Sequence, residues 1–178
     1  MAIEILIDEP ALRHRVSELG ARIRADYGSS ASVHLVAVLK GAFVFLADLM
    51  RAIEGPVTCD FIAVSSYGAG TSSSGEVKLT KDLDHGLQGR DVIIVEDIID
   101  TGLTLSYLKE MLSAREPRSL RTACLLNKPS RRTVAVPLEY VGFDIDDRFV
   151  VGYGLDCDQQ HRNLRYIGAL EGPAGGLS

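Results

Sequence analysis

The sequence predicts an α/β fold, a central and mostly parallel sheet flanked by helices. Aliphatic runs at Val33–Leu39, 91–96 and 119–126 read as strands covered on both faces. Segments with helical periodicity separate them, which is the alternation expected of a parallel sheet. The core must also be aliphatic, because Trp is absent and aromatics make up only 6% of a chain that is 46% hydrophobic. At 178 residues this suits one domain.

Asp8 is placed to cap a first helix, with Pro10 tolerated in its first turn. Leu12, Val16, Leu19 and Ile23 keep helical spacing, and Tyr27-Gly28 ends the element. Val33–Leu39 follows as a strand. Gly41 opens a second helix with Phe43, Leu46, Ala47 and Met50 on one face. Residues 57–65 form a third apolar run. The segment 66–75 is built of Gly, Ser, Ala and Thr after Tyr67, which predicts a mobile loop, and 76–81 returns as a hairpin strand. A turn at 86–90 leads into Asp91 and the run Val92-Ile93-Ile94-Val95. A helix over 104–114 uses Leu105, Leu108, Met111 and Leu112. A strand spans 119–126, and short β segments lie at 134–142 and 149–151. The tail 171–178 reads as flexible.

Composition removes several function classes. The net charge of −5 argues against a nucleic-acid partner, and Arg131-Arg132 reads as a solvated loop. The three cysteines, Cys59, Cys124 and Cys157, form no CxxC pair, which excludes a disulfide framework or structural zinc. No segment approaches bilayer length and the N-terminus carries no basic leader pattern, so the expected location is cytoplasmic, with no membrane partner. Gly68-Ala69-Gly70 lacks the third glycine of a dinucleotide fingerprint, and there is no Walker A string, HExxH or nucleophile elbow.

In a parallel sheet ligands bind beyond the carboxyl ends of the strands. One such end reads Val95-Glu96-Asp97-Ile98-Ile99-Asp100-Thr101-Gly102-Leu103-Thr104-Leu105. A buried strand delivers Glu96 and Asp97 to the rim, where paired carboxylates accept from a vicinal diol or bind a hard cation. The turn after them ends at a helix N-terminus, whose free N–H groups and dipole favour an anion. Gly102 allows close backbone approach, and Thr101 and Thr104 add hydroxyls. Acceptors for a ribose diol beside donors for its phosphate point to a phosphoribosyl group.

The eleven-residue string resembles the phosphoribosyl-pyrophosphate signature of the type I phosphoribosyltransferases, in the 6-oxopurine branch. The resemblance runs from about residue 33 to 168. It implies that family's fold, a core of about 33–130 with a small hood over the active site built from the N-terminal segment and about 131–168. It also implies purine salvage: transfer of the 5-phosphoribosyl group to hypoxanthine or guanine, with magnesium, two ions in the substrate complex, as cofactor. By the same resemblance Glu96, Asp97, Ile99, Asp100, Thr101, Gly102, Leu103 and Thr104 hold the phosphoribosyl group, and Asp100 is the general base. Leu39, Lys40 and Gly41, often with a cis peptide in the family, meet pyrophosphate with Arg162. Lys128 donates to the purine 6-oxo oxygen, Phe149 stacks on the ring, and Val150 reads its edge. Asp156 sits beside the purine strip, and Glu96, Asp97 and Asp156 are the metal residues. Ser66 and Tyr67 begin the lid, and a homodimer or homotetramer is implied. Leu103 departs from relatives that carry lysine there, and 157–161 is divergent. Two other readings stay open: a transferase for xanthine, adenine or a pyrimidine, and a nucleotide-sensing regulator with the same fold.

Overall fold

The computed structural model describes residues 2–66 and 77–170. The chain runs β1 (Ile3–Ile7), α1 (Glu9–Tyr27), β2 (Val33–Leu39), α2 (Phe43–Ala52), β3 (Val57–Ser66), β4 (Val77–Lys81), β5 (Asp91–Ile99), α3 (Leu103–Ser113), β6 (Ser119–Asn127), β7 (Tyr140–Asp144), β8 (Val150–Val151) and β9 (Ile167–Leu170). Six strands form the main sheet in the order β4-β3-β2-β5-β6-β7. All its pairs are parallel except β3 with β4. Helices α1 and α2 pack on one face with Leu12, Leu19, Phe45 and Leu49, and α3 covers the other with Leu105, Leu108 and Leu112. A second, antiparallel sheet, β1-β9-β8, joins the two ends of the chain.

Strand order fixes where a ligand fits. The connection after β2 crosses to β3, whereas the connection after β5 crosses to β6 on the other side. The carboxyl ends of β2 and β5 therefore flank a topological switch point, and a crevice opens between them.

Local chemistry explains most elements. Asp8 caps α1 through its Oδ1, which accepts from Ala11 N at 2.9 Å, with Pro10 in the first turn. β5 is enclosed along its middle, with Val92, Ile93, Ile94 and Val95 at 0% exposure. Covered faces of this kind need no alternation.

Four expectations need correction. The second helix starts at Phe43, two residues later than Gly41, and buries Phe45, Leu46 and Leu49 while Phe43 and Ala47 face outward. It is apolar nearly all round, so its period did not single out one face. β5 continues to Ile99 because β6 keeps pairing beyond residue 96, with Ile98 beside Leu126 and Ile99 beside Asn127. The span 134–142 is extended sheet only from Tyr140: the Val134 amide is donated to Thr101 O at 3.1 Å, and Pro137 has no amide to give. β1 and β9 were not foreseen. Their register, Ile3 beside Leu170 and Ile5 beside Gly168, joins residues too distant in sequence for any local pattern. Tyr67, the lid expected over 67–75 and the tail 171–178 lie outside the described residues.

Candidate active site

The β5 carboxyl end carries two adjacent acidic side chains, Glu96 and Asp97, both raised in pKa by burial. Glu96 is not at an open rim: it lies inside the strand, 6% exposed, with Cys124 beside it across the β5 and β6 pair. Burial, then the neighbouring Asp97 charge, pushes the Glu96 carboxyl well above the usual carboxylate range. The same environment, with Glu96 a second cause, raises the Cys124 thiol to about 12, so it reads as an inert core thiol. Asp97 leans the other way, against Gly41, where even a methyl group would overlap its carboxylate. Its pKa is raised to about 6, chiefly by burial, against which its own backbone bonds and the Arg162 charge pull.

The loop that follows is fixed by its backbone. Gly102 adopts φ 89°, a left-handed conformation, and a side chain there would sit 2.8 Å from Val134 O. Glycine is needed twice over. It caps α3 with no side-chain hydrogen bond of its own, which leaves first-turn N–H groups after Leu103 for a ligand. Thr101 Oγ1 accepts from Leu103 N at 3.3 Å, and Thr101 O accepts from Thr133 N at 3.0 Å. Arg132 Nε donates to Asp100 O at 3.0 Å, and Arg131 Nε lies 3.1 Å from Asp100 Oδ1. Leu103 is 42% exposed. Ile99 is buried at the strand end, and Thr104 is half-buried in the first turn of α3.

Across the crevice the Leu39 to Lys40 peptide is cis. Lys40 Nζ donates to Gln159 Oε1 at 3.5 Å. Gly41 O lies against Gly154, whose φ of 102° also demands glycine. Arg162 pairs with Asp156 at 2.8 Å and donates to Gly154 O at 2.8 Å. Gln159 N in turn donates to Asp156 Oδ2 at 2.8 Å. One cluster thus holds Gly41, Asp97, Asp156 and Arg162 together.

Past β6, Lys128 is buried at 8% exposure, its backbone N–H bonded to Ile99 O at 3.0 Å. Its ammonium sits 3.3 Å from Asp147. Phe149 is 53% exposed, an unusual setting for a ring that size, and Val150 beside it is buried in β8. Ser66 ends β3, opposite Val77.

The structure groups Lys40, Gly41, Asp97, Asp156 and Arg162 around one set of contacts, and Lys128 with Asp100 around another. Sequence reasoning missed Arg131 and Arg132, which were assigned to a solvated loop, and also Asp147 and Gln159. The only available signal was position: Arg131 and Arg132 follow a strand's carboxyl end. Among the described residues no three His, Cys, Asp or Glu form a self-contained metal site. Carboxylate oxygens of Asp97 and Asp156 nevertheless supply the hard donor set that suits magnesium, an ion that takes most other ligands from water and substrate phosphates. Chemically, the crevice offers carboxylate acceptors, a helix N-terminus for an anion and a cationic side.

A family model described as "Phosphoribosyl transferase domain" matches residues 3–158. The chain is 51% identical over 169 residues to a hypoxanthine phosphoribosyltransferase of Salmonella typhimurium, covering 94% of this chain and 95% of the relative. It is 52% identical over 172 residues to a hypoxanthine-guanine phosphoribosyltransferase of Mycobacterium avium, covering 94% and 85%. A crystal structure of a hypoxanthine-guanine phosphoribosyltransferase from Bacillus anthracis superposes with a TM-score of 0.90 at 48% identity, over 95% of this chain and 99% of that one. A phosphate-ready loop at the sheet's switch point and similarity along nearly the whole chain agree: the chain belongs to the phosphoribosyltransferase family.

Proposed function

We propose that this chain is a purine salvage enzyme, transferring the 5-phosphoribosyl group of phosphoribosyl pyrophosphate to hypoxanthine or guanine and releasing pyrophosphate. The observation that carries this reading is the junction of β5 and α3, where the Glu96 and Asp97 carboxylates end beside an uncapped helix start at Gly102. The names borne by relatives at about half identity support the choice of base.

In this reading the sugar phosphate rests on the N–H groups and hydroxyls of 100–104, and the helix dipole favours its charge. Glu96 and Asp97 accept from the ribose diol. Magnesium, two ions, would be held by Glu96, Asp97 and Asp156, and would offset the leaving-group charge. The Lys40 backbone and Arg162 hold the pyrophosphate. A purine nitrogen forms its bond to the anomeric carbon as the bond to pyrophosphate oxygen breaks. Asp100 accepts the imidazole-ring proton that this releases, and returns it in the reverse direction. Lys128 donates to the 6-oxo oxygen. An ammonium cannot accept, so a 6-amino purine finds no partner there. Phe149 stacks on the ring, and Val150 reads its edge through the backbone.

The deciding experiment is a turnover screen of the purified chain with magnesium, phosphoribosyl pyrophosphate and four bases: hypoxanthine, guanine, xanthine and adenine. Pyrophosphate release with hypoxanthine or guanine is expected; release with adenine alone, or none, rejects the reading. Lys128→Ala should then relax the bias against adenine. We also propose a homodimer or homotetramer in the cytoplasm. The exposed Phe43 on α2, beside a groove of about 820 Å³ between α1, α2 and the 162–165 segment, supports self-association, and light scattering measures it. No helix of the described residues is long and apolar enough to cross a membrane.

A further inference from the structure

Four charged side chains alternate in sign along one wall of the crevice. Asp147, in the segment between β7 and β8, places Oδ1 3.3 Å from Lys128 Nζ and Oδ2 3.8 Å from Arg131 Nε. Arg131 Nε is in turn 3.1 Å from Asp100 Oδ1. The order is Lys128, Asp147, Arg131, Asp100. Its two ends are the groups that the proposed reaction sets against the purine. The 6-oxo oxygen and N7 share one edge of that base, so the spacing between the ends must match the spacing of those two atoms.

We propose that Asp147 is a positioning residue for purine recognition. Its carboxylate holds the Lys128 ammonium directly and, through Arg131, sets where Asp100 stands relative to it. This rests on the purine-salvage reading above. The argument is one of preorganisation. A lysine head on four rotatable bonds must be frozen before it can donate along a fixed direction. The Lys128 side chain is only 10% exposed, so it has little water to settle into and one carboxylate to hold it. Fixing it before the base arrives removes an ordering cost that binding would otherwise meet. The pair adds little to folding, because Asp147 is 52% exposed and ion pairs with a solvated partner are weak. A residue of this kind moves recognition without moving stability.

That separation gives the test. Asp147→Asn in the full chain should raise the KM for hypoxanthine by about three- to tenfold, the cost of leaving one long side chain unfixed. The KM for phosphoribosyl pyrophosphate and the melting temperature should stay at wild-type values. Asp147→Glu, which keeps the charge, should recover part of the loss. Calorimetry with inosine 5′-monophosphate needs no turnover and should show the same loss of affinity. In a Lys128→Met background, adding Asp147→Asn should cost much less affinity than it does alone, only the Arg131 arm then remaining to be lost. The proposal is overturned if Asp147→Asn leaves the hypoxanthine KM untouched, shifts both substrates equally, or weakens nucleotide binding as much in the Lys128→Met background as outside it. Wild-type protein inactive on every oxopurine would instead reject the functional reading itself, so the two failures are told apart.

Discussion

Strand β5 carries an aspartate near each end, and the two live under opposite electrostatics. Asp91, at the amino end, is met by the Arg118 guanidinium and by Ser119 Oγ at 2.8 Å, and Arg118 above all holds it below the usual carboxylate range. Asp97, six positions on, is raised to about 6 by burial, and Arg162, whose charge acts on it, is already engaged with Asp156. Both side chains are set by one strand in one sheet. The amino end satisfies its charges internally, as a structure that only has to stay folded should. The carboxyl end keeps two buried acids whose ionised forms are disfavoured, which costs stability until a diol or a metal ion arrives. Asp60 extends the contrast to β3: its buried carboxylate accepts from Phe61 N at 2.7 Å, Asp84 N at 2.9 Å and His85 N at 3.1 Å, pinning the segment after β4.

If the two ends differ in purpose, substitutions at each should fail in different assays. The largest effect belongs to the crevice. Asp100→Asn keeps the loop geometry and removes the proton acceptor, so turnover should fall by about 10²- to 10⁴-fold. Affinity for phosphoribosyl pyrophosphate should stay within a few-fold and the melting curve should not move. Pre-steady-state turnover beside a binding isotherm checks this. Unchanged turnover removes Asp100 from the chemistry and blurs the comparison.

Next in size is Asp60→Asn. It turns an amide donor toward backbone N–H groups that now have an acceptor, and should cost about 1–3 kcal/mol of folding stability. Denaturant unfolding reads that loss, while kcat per folded molecule should equal wild type. Lost activity in a fully folded variant would mean that the pinned segment reaches the site.

How much of this contrast was visible in the sequence follows from the range of the forces involved. Val92-Ile93-Ile94-Val95 declares a covered strand, and Asp8 with Pro10 declares a helix start, because both depend on neighbours within a few residues. The loop at 100–104 was equally legible, since strand end, turn glycine and helix start are consecutive. The closing of the chain by β1 and β9 was not, because it joins Ile3 to Leu170. Nor were Asp147 and Arg131: a carboxylate 19 positions from the lysine it holds carries no spacing rule. The α2 face was misread for a different reason, as a helix apolar on most sides has no single preferred period. Glu96 was placed at a rim because the apolar run ends at Val95; pairing with β6 extends the strand.

A third variant addresses Asp91 alone. Its folded-state pKa is depressed, so its contribution to stability is present above the unfolded carboxylate range and is lost as pH falls through the folded value. Asp91→Asn should therefore destabilise the protein at neutral pH and flatten the stability curve below pH about 4, where wild type loses the same contribution. Urea unfolding at several pH values shows whether the slope changes. A parallel offset at every pH would mean that packing, not charge, is what Asp91 supplies.

The smallest effect has the opposite sign. In metal-free, substrate-free protein the raised Asp97 pKa favours the protonated form, so the folded state gains from that proton below the unfolded value near 3.8 and loses the gain as pH rises through about 6. Asp97→Asn mimics the protonated carboxyl. It should match wild type near pH 4 and be the more stable protein above pH 7, with each kcal/mol worth about 2–4 °C in Tm for a chain of this size. The same variant should lose affinity for phosphoribosyl pyrophosphate, since it gives up a diol acceptor. A gain in Tm coupled to a loss of binding is what a site held in readiness predicts. A variant less stable than wild type at pH 8 would show that the Asp97 charge is already satisfied without ligand, and the two ends of β5 would then not differ in kind.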